Sequence, residues 1–523
     1  MSTNHVDQLA QQLLDAGVKY AFGITGSGMS LRLIESLDQL GVQYFPVHHE
    51  AAAAIMAGAC CRDGITRAAS ITIKGPGFAN LIPGILSNQY EGRPAISISE
   101  AYATDAPGWR KHKRLDHFAL SNVITKGIAQ VGGDAEEIKA LFSLAQTEYP
   151  GPVHIDLCPS PGERIELLCE QLDSTESASE LDKLLDRVIQ SSCPAVILGS
   201  LALRRLREID WSRLTIPIAT TAAAKGSLDE MTPFSAGIIT GEVSALSPET
   251  TILSKADLII GIGLRNDEVV KAASFGPDLC IIDSVSGDHH VGFEAGQIVV
   301  SSDIECAVDN ICQLLSEKNW GKTEIRAARK MLAAHLGSDW LPAQLFRKLQ
   351  CLLPIDTSLV LDTGFFCTVG ETVWAARRPE YFCGSSVGRF MGTAIPSAIG
   401  IAVSNPTQPV LCVVGDGGLP PYMAEIEMAV LERLPILFVY VTDGRYGSVA
   451  AFTADSQVVS RAVDVGCKIA WNIANAMECP AFLITDSDEL EAVLAGWSPN
   501  SGPLFLQCQF EPVAYASQAK PLR

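Results

Sequence analysis

Short runs of β-branched and other apolar residues recur along the chain, and between them lie longer stretches whose apolar positions keep helical spacing. A strand covered on both faces carries a continuous apolar run, so these segments predict buried strands of parallel sheets. A first set comprises Tyr20–Gly23, Gln43–Val47, Ala68–Ile73, Ala95–Ser99 and Val153–Leu157. The stretch Glu170–Lys183, where Ser and Glu cluster, reads as a linker. A second set follows at Ala195–Leu198, Ala256–Ile262, Leu279–Asp283 and Gln297–Val300. A charged helical stretch from Glu317 to Leu336 leads into a third, at Ser358–Leu361, Val410–Val414 and Ile436–Val441. Strands alternating with helices throughout predict an α/β protein of three doubly wound parallel-sheet domains, over residues 1–168, 184–320 and 340–523.

Composition narrows the class. A chain of 523 residues exceeds what one hydrophobic core accommodates, and 47% apolar with 19% charged residues is the balance of a globular enzyme. A net charge of −20 argues against nucleic acid as a partner, because a polyanion is held by concentrated positive charge. No apolar run approaches the ~20 residues of a membrane span, and the N-terminal stretch is expected to be a polar helix without a secretory core. The 15 cysteines form no CxxC pair and the 9 histidines show no zinc spacing. Cys280 and Cys412 lie inside apolar strands, and Cys60 and Cys61 are read as helix packing. Thiols used as small hydrophobes suit a reducing compartment, so a cytoplasmic protein is expected.

The strongest chemical signal lies in the third set. The strand VLCVV runs into Gly415-Asp416-Gly417-Gly418, and ILFVYV ends in Thr442-Asp443-Gly444-Arg445-Tyr446-Gly447. If these strands are neighbours, Asp416 and Asp443 converge at one edge of the sheet, where doubly wound folds bind ligands. Two hard oxygen donors suit Mg2+, and the glycines let backbone N–H groups approach a diphosphate. Either Asp alone would cap a helix or turn; the pairing points to metal and diphosphate. In these residues the sequence resembles the thiamine-diphosphate (ThDP) enzymes that include acetolactate synthase, pyruvate decarboxylase and benzoylformate decarboxylase. The resemblance implies Asp416 and Asp443 as side-chain metal ligands and the backbone carbonyl of Arg445 as a third. It places Gly415, Gly417, Gly418, Tyr446 and Gly447 around the cofactor. Thr442 stands where the family has the first of two asparagines.

A second constellation is His48-His49-Glu50 ahead of an alanine-rich segment, which sets a carboxylate at the start of a buried helix. Burying an unpartnered carboxylate is costly, so Glu50 is expected to be protonated or hydrogen-bonded. In the ThDP family a glutamate at this position bonds N1′ of the aminopyrimidine and promotes the tautomer that deprotonates C2; Glu50 is the matching residue. A helix N-terminal Glu favoured by the dipole is the plainer reading of the residue alone. The resemblance continues through Gly75-Pro76-Gly77-Phe78-Ala79-Asn80, through Tyr149–Val153, and through Met391 with Gly392, where the family sets a bulky apolar side chain under the cofactor. It spans essentially the whole chain and implies a homodimer or homotetramer with active sites between subunits.

The implied substrate is a small 2-oxo acid, which loses CO2 to leave an enamine that is protonated to an aldehyde or added to a second carbonyl. Ser27, between Gly26 and Gly28, aligns with a residue that meets the substrate carboxylate in benzoylformate decarboxylase-like members. Trp109-Arg110-Lys111-His112-Lys113-Arg114 is a basic run in an acidic chain. There Lys113 and Arg114 replace the Gln and Glu of acetolactate synthases, which suggests a further anionic group on the substrate, as in sulfo- or phosphonopyruvate; a solvated loop is the competing reading. His112 and His117 are candidates for proton transfer. The stretch MTPFSAGIITG lacks the run that acetolactate synthases place near FAD, so FAD is not expected. A catalytically inactive regulatory relative would lack the acidic residues, yet Glu50, Asp416 and Asp443 are present. No GxGxxG follows a strand, which argues against a nicotinamide enzyme.

Overall fold

Three largely parallel sheets carry the chain in sequence order. The computed structural model describes residues 5–64, 67–102, 106–107, 109, 112–131, 135–159, 165–168, 178–241, 244–268, 275, 277–287, 294–453, 460–466 and 469–522. In the first sheet the strands are β1 (Val18–Gly23), β2 (Gln43–Pro46), β3 (Arg67–Thr72), β4 (Ile96–Glu100), β5 (Gly127–Gln130), β6 (Val153–Leu157) and β7 (Ile165–Leu167). Their order is β2-β1-β3-β4-β6-β5-β7, with β7 antiparallel to β5 and the other pairs parallel.

The second sheet holds β8 (Pro194–Leu198), β9 (Ile218–Thr220), β10 (Ser235–Ile238), β11 (Leu258–Ile262), β12 (Asp278–Asp283) and β13 (Gln297–Val300), ordered β10-β9-β8-β11-β12-β13. The third holds β14 (Ser358–Leu361), β15 (Phe382–Gly384), β16 (Val410–Val414), β17 (Ile436–Thr442), β18 (Ala481–Ile484) and β19 (Leu504–Gln509), ordered β15-β14-β16-β17-β19-β18. Both orders reverse within the sheet, which opens a crevice at the carboxyl ends of the central strands.

Two expectations need correction. Ala178–Gln190 is a helix, so the second half of the expected linker is structured. Its polar Ser179 and Glu180 open the helix, and Leu184 and Val188, one turn apart, are buried against the second sheet; residues 170–177 lie outside the described residues. The charged helix begins at Lys322, not near Glu317, because Gly321 precedes it in the left-handed region at φ 85°.

A contact between two buried helices ties the first sheet to the third. The Glu50–Cys60 helix is buried along its whole length, and its small side chains let it lie against the equally buried Ala394–Ser404 helix. Ala52, Ala53 and Met56 share one hydrophobic core with Ile395, Ala398 and Ile399 and with Val414 and Tyr440 of the third sheet. Gly400 sits directly on the Met56 backbone, and the Cys60 thiol donates to its carbonyl at 3.1 Å. The entry to the Glu50 helix is fixed from the third sheet as well. The Glu425 carboxylate accepts the N–H of His48 (3.1 Å) and of His49 (3.0 Å).

Candidate functional site

Parallel pairing of β16 with β17 sets Val414 beside Tyr440, so the residues that follow both strands emerge at one edge. Asp416 stands just beyond β16 and is buried. Its Oδ1 accepts hydrogen bonds from the Tyr440 hydroxyl (2.6 Å) and the Thr442 hydroxyl (2.8 Å), while Oδ2 lies 3.3 Å from the Asp443 N–H. Burial, and then the charge of Asp416, push Asp443 up to about 6. Two carboxylates held this close in a half-dry site repel each other, and a divalent cation relieves both the repulsion and the desolvation. The donor set therefore fits Mg2+. Thr442, which departs from the family's asparagine, orients Asp416 through its hydroxyl.

Around this pair the glycines let the backbone pack closely against neighbouring side chains. A Cβ at Gly415 would stand 2.6 Å from the Phe366 ring, and one at Gly418 would stand 2.6 Å from the Asp362 carboxylate. At Gly417 an added Cβ would strike the Met391 sulfur and lie 3.3 Å from the Tyr446 ring, so Met391, Gly417 and Tyr446 meet at one point. Gly392 takes φ 95°, a conformation that favours glycine. Its N–H donates to Asp362 at 2.9 Å, and the N–H of Ala394 donates to the same carboxylate at 3.1 Å. Asp362 thus holds the loop carrying Met391, and burial pushes its carboxyl up to about 6. Arg445 donates its N–H to Asp443 (3.2 Å) and pairs through its side chain with Asp464 (2.8 Å); Gly447 opens the Gly447–Thr453 helix.

On the first sheet, Glu50 is the first residue of its helix and is 8% exposed. Its Oε2 accepts a hydrogen bond from the Asn80 amide at 3.0 Å, so the expected partner is a side chain from the neighbouring Pro76–Tyr90 helix. Gly75 takes φ 66°, and Asn80 lies inside that helix, not in the turn itself. The His49 ring packs edge-on against Tyr422 at 5.9 Å, which brings the Glu50 end of the helix to the segment that follows Gly418.

The basic run reaches this region in part. Lys113, with φ 57°, sets its backbone against Gly75, 2.9 Å from where a Cβ would be. His112 and Lys113 are exposed side chains, and the Tyr102 hydroxyl donates to the His112 carbonyl at 2.8 Å. Arg110 and Lys111 lie outside the described residues. Ser27 is exposed on the loop after β1, where neighbouring Gly28 abuts Glu100. His117 is buried and both of its ring nitrogens are occupied: Nδ1 faces Asp156 at 2.6 Å and Nε2 accepts from the Gly75 N–H at 3.4 Å. It braces the Gly75 turn and has no free nitrogen for proton transfer. Asp362, Tyr440 and Glu425 escaped the sequence reading. Asp362 alone left a trace, an acid at the carboxyl end of a predicted strand.

Three largely parallel sheets, a carboxylate pair at the crevice of the third and a buried glutamate beside the first fit an enzyme that holds a diphosphate cofactor through a metal. Residues 3–120 match the N-terminal TPP-binding domain of thiamine pyrophosphate enzymes, and residues 362–508 match their C-terminal TPP-binding domain. The chain belongs to the thiamine-diphosphate-dependent enzyme family. It is 25% identical over 532 residues to the catabolic acetolactate synthase of Raoultella terrigena, covering 95% of this chain and 93% of that protein. To the acetolactate synthase isozyme 3 large subunit of Escherichia coli it is 24% identical over 486 residues, 85% of this chain and 83% of the relative. With the isozyme 2 large subunit of the same organism the identity is 23% over 538 residues, 97% and 96% of the two chains. Among the described residues no helix is long and apolar enough to cross a membrane.

Proposed function

We propose that this protein uses ThDP and Mg2+ to decarboxylate a 2-oxo acid, to join the resulting unit to a second carbonyl, or both, in the manner of its acetolactate synthase relatives. The observation that carries the reading is the Asp416–Asp443 pair at the carboxyl edge of β16 and β17, together with the Asn80-bonded Glu50. Asp416, Asp443 and the backbone carbonyl of Arg445 would hold the metal. Gly415, Gly417, Gly418 and Gly447 would admit the diphosphate, and Gly75, Met391, Gly392 and Tyr446 would flank the rings. When bound, the cofactor supplies a carbon nucleophile and an electron sink. Glu50 would share a proton with the aminopyrimidine ring nitrogen while Asn80 fixes its second oxygen. Ser27, His112 and Lys113 would face the substrate. Met391 and Tyr446 are partly exposed on the single chain, which supports a dimer or tetramer whose neighbouring subunit covers the site.

A second reading is a decarboxylase for an anionic pyruvate derivative. It is favoured by the seating of the Lys113 backbone on the Gly75 turn, which brings the basic run to the site; Lys74, just before that turn, is itself paired with Glu100 at 2.9 Å. The test is to incubate the protein with ThDP, Mg2+ and a panel of 2-oxo acids, including sulfonated and phosphonated ones, and to follow CO2, aldehyde and ketol together. Aldehyde without ketol assigns a decarboxylase, and ketol assigns a carboligase. Failure to bind ThDP refutes the reading outright.

A further inference from the structure

Where the three sheets meet, a cavity of about 290 Å³ opens between the first-sheet residues Arg62 and Arg93, the second-sheet residues Ser200 and Arg204, and the segment Phe382–Val387. Its charge is unusual for an acidic chain. Arg93 is 6% exposed, and its guanidinium meets only neutral partners, Ser397 Oγ at 3.4 Å and Cys383 Sγ at 3.3 Å. Arg62 donates to three backbone carbonyls, those of Pro379, Glu380 and Phe382. Among the described residues neither guanidinium meets a carboxylate.

The other cations of the wall are all compensated: Arg204 by Glu148, Arg205 by Glu305, Arg207 by Glu380 and Lys225 by Glu230. Nor does the nearby Glu91 serve Arg93. Its carboxylate accepts the Ser385 hydroxyl and the N–H groups of Ser386, Val387 and Gly388. A buried guanidinium without a counter-charge is costly to desolvate, and its planar fork matches a carboxylate or phosphate face to face. We propose that this cavity binds a small metabolite through a carboxylate or phosphate group received by Arg93, with Arg62 adding positive potential.

Size and donors narrow the ligand. The volume lies at the small end of ligand pockets. On the second-sheet wall, Glu268 already accepts the Ser200 N–H at 2.9 Å and the Ser200 hydroxyl, so the anionic group finds its donors on the Arg93 side. The Ser386–Val387 wall runs on into the loop of Met391, so a ligand here also bears on the segment next to the metal site.

The ThDP- and Mg2+-loaded protein should be titrated calorimetrically with malonate and, separately, with inorganic phosphate, alongside its Arg93→Met and Arg93→Lys variants. The expected result is saturable binding of one probe near one per chain, weakened tenfold or more by Arg93→Met with unchanged ThDP affinity. Preference for malonate assigns a carboxylate ligand, and preference for phosphate a phosphoryl ligand. Arg93→Lys keeps the charge but loses the fork, and should weaken binding by an intermediate factor; it serves as the reporter if Arg93→Met does not fold. No saturable binding of either probe, or equal binding by parent and variants, overturns the proposal.

Discussion

Replacing Gly400 by Ala tests the helix contact through which the Glu50 end of the molecule is set against the third sheet. An added Cβ would stand 3.0 Å from the Met56 Cα and carbonyl carbon and nearer still to its oxygen, whereas ordinary contacts begin at 3.4 Å. The obstacle is backbone and not a flexible side-chain tip, so the two helices must part by several tenths of an ångström. Both are buried, Ser404 at the end of the second alone excepted, so nothing soft absorbs the displacement. Overpacking of this kind costs about 1–3 kcal/mol, and a backbone obstacle places Gly400→Ala near 3 kcal/mol. For a cooperative unit of ordinary domain size that lowers the melting temperature by roughly 6–12 °C. Turnover should fall by about tenfold, since a displacement of ~1 Å from reacting geometry costs ~100-fold. Scanning calorimetry and steady-state turnover measure the two effects. Gly496→Ala is the control: that glycine already has φ −93° and its Cβ would meet only Val493 O, at 3.6 Å. If Gly400→Ala melts and turns over like the parent, the helix contact does not position Glu50.

Glu50→Gln should retain ThDP binding, measured by fluorescence quenching, and lose nearly all turnover; full activity would remove Glu50 from cofactor activation. Asp416→Ala should abolish Mg2+-dependent retention of ThDP in equilibrium dialysis. Tyr440→Phe, which deletes the 2.6 Å bond to Asp416, should weaken Mg2+ affinity by about 10- to 100-fold, as loss of a group orienting a metal ligand does. Burial raises Glu268 from 4.5 to about 7. Its contribution to stability is therefore complete below pH 4.5 and is lost as pH rises through 7. At ~1.4 kcal/mol per unit the loss is about 3 kcal/mol, and Glu268→Gln should flatten the melting temperature between pH 5 and 8. An unchanged slope would mean that Glu268 is already ionised in the folded state.

The parts of this site that were legible in sequence share a physical cause. Asp416 and Asp443 follow continuous apolar runs, and the parallel-sheet rule sends the ends of neighbouring strands to one edge whatever the rest of the chain does. Glu50 stood out because a carboxylate heading an alanine-rich helix has to be buried. What stayed hidden was partnership across long separations. Asn80 lies 30 positions from Glu50, Asp362 is 30 from Gly392, and Glu425 is 377 from His48; no local pattern encodes such pairings. Strand length set the other limit. β9 and β15 have three residues each, and edge strand β18 keeps Phe482 and Leu483 partly exposed, so none forms the run that marks a buried strand. Thr442 joins the two cases. By sequence it is a departure from the family's asparagine, yet its hydroxyl and that of Tyr440 converge on a single oxygen of Asp416. Oδ1 takes both hydroxyls, whereas Oδ2 takes only the longer 3.3 Å contact from the Asp443 N–H and keeps a lone pair for the proposed metal. The departure therefore orients Asp416, the proposed ligand, although by residue type alone it counts against the site.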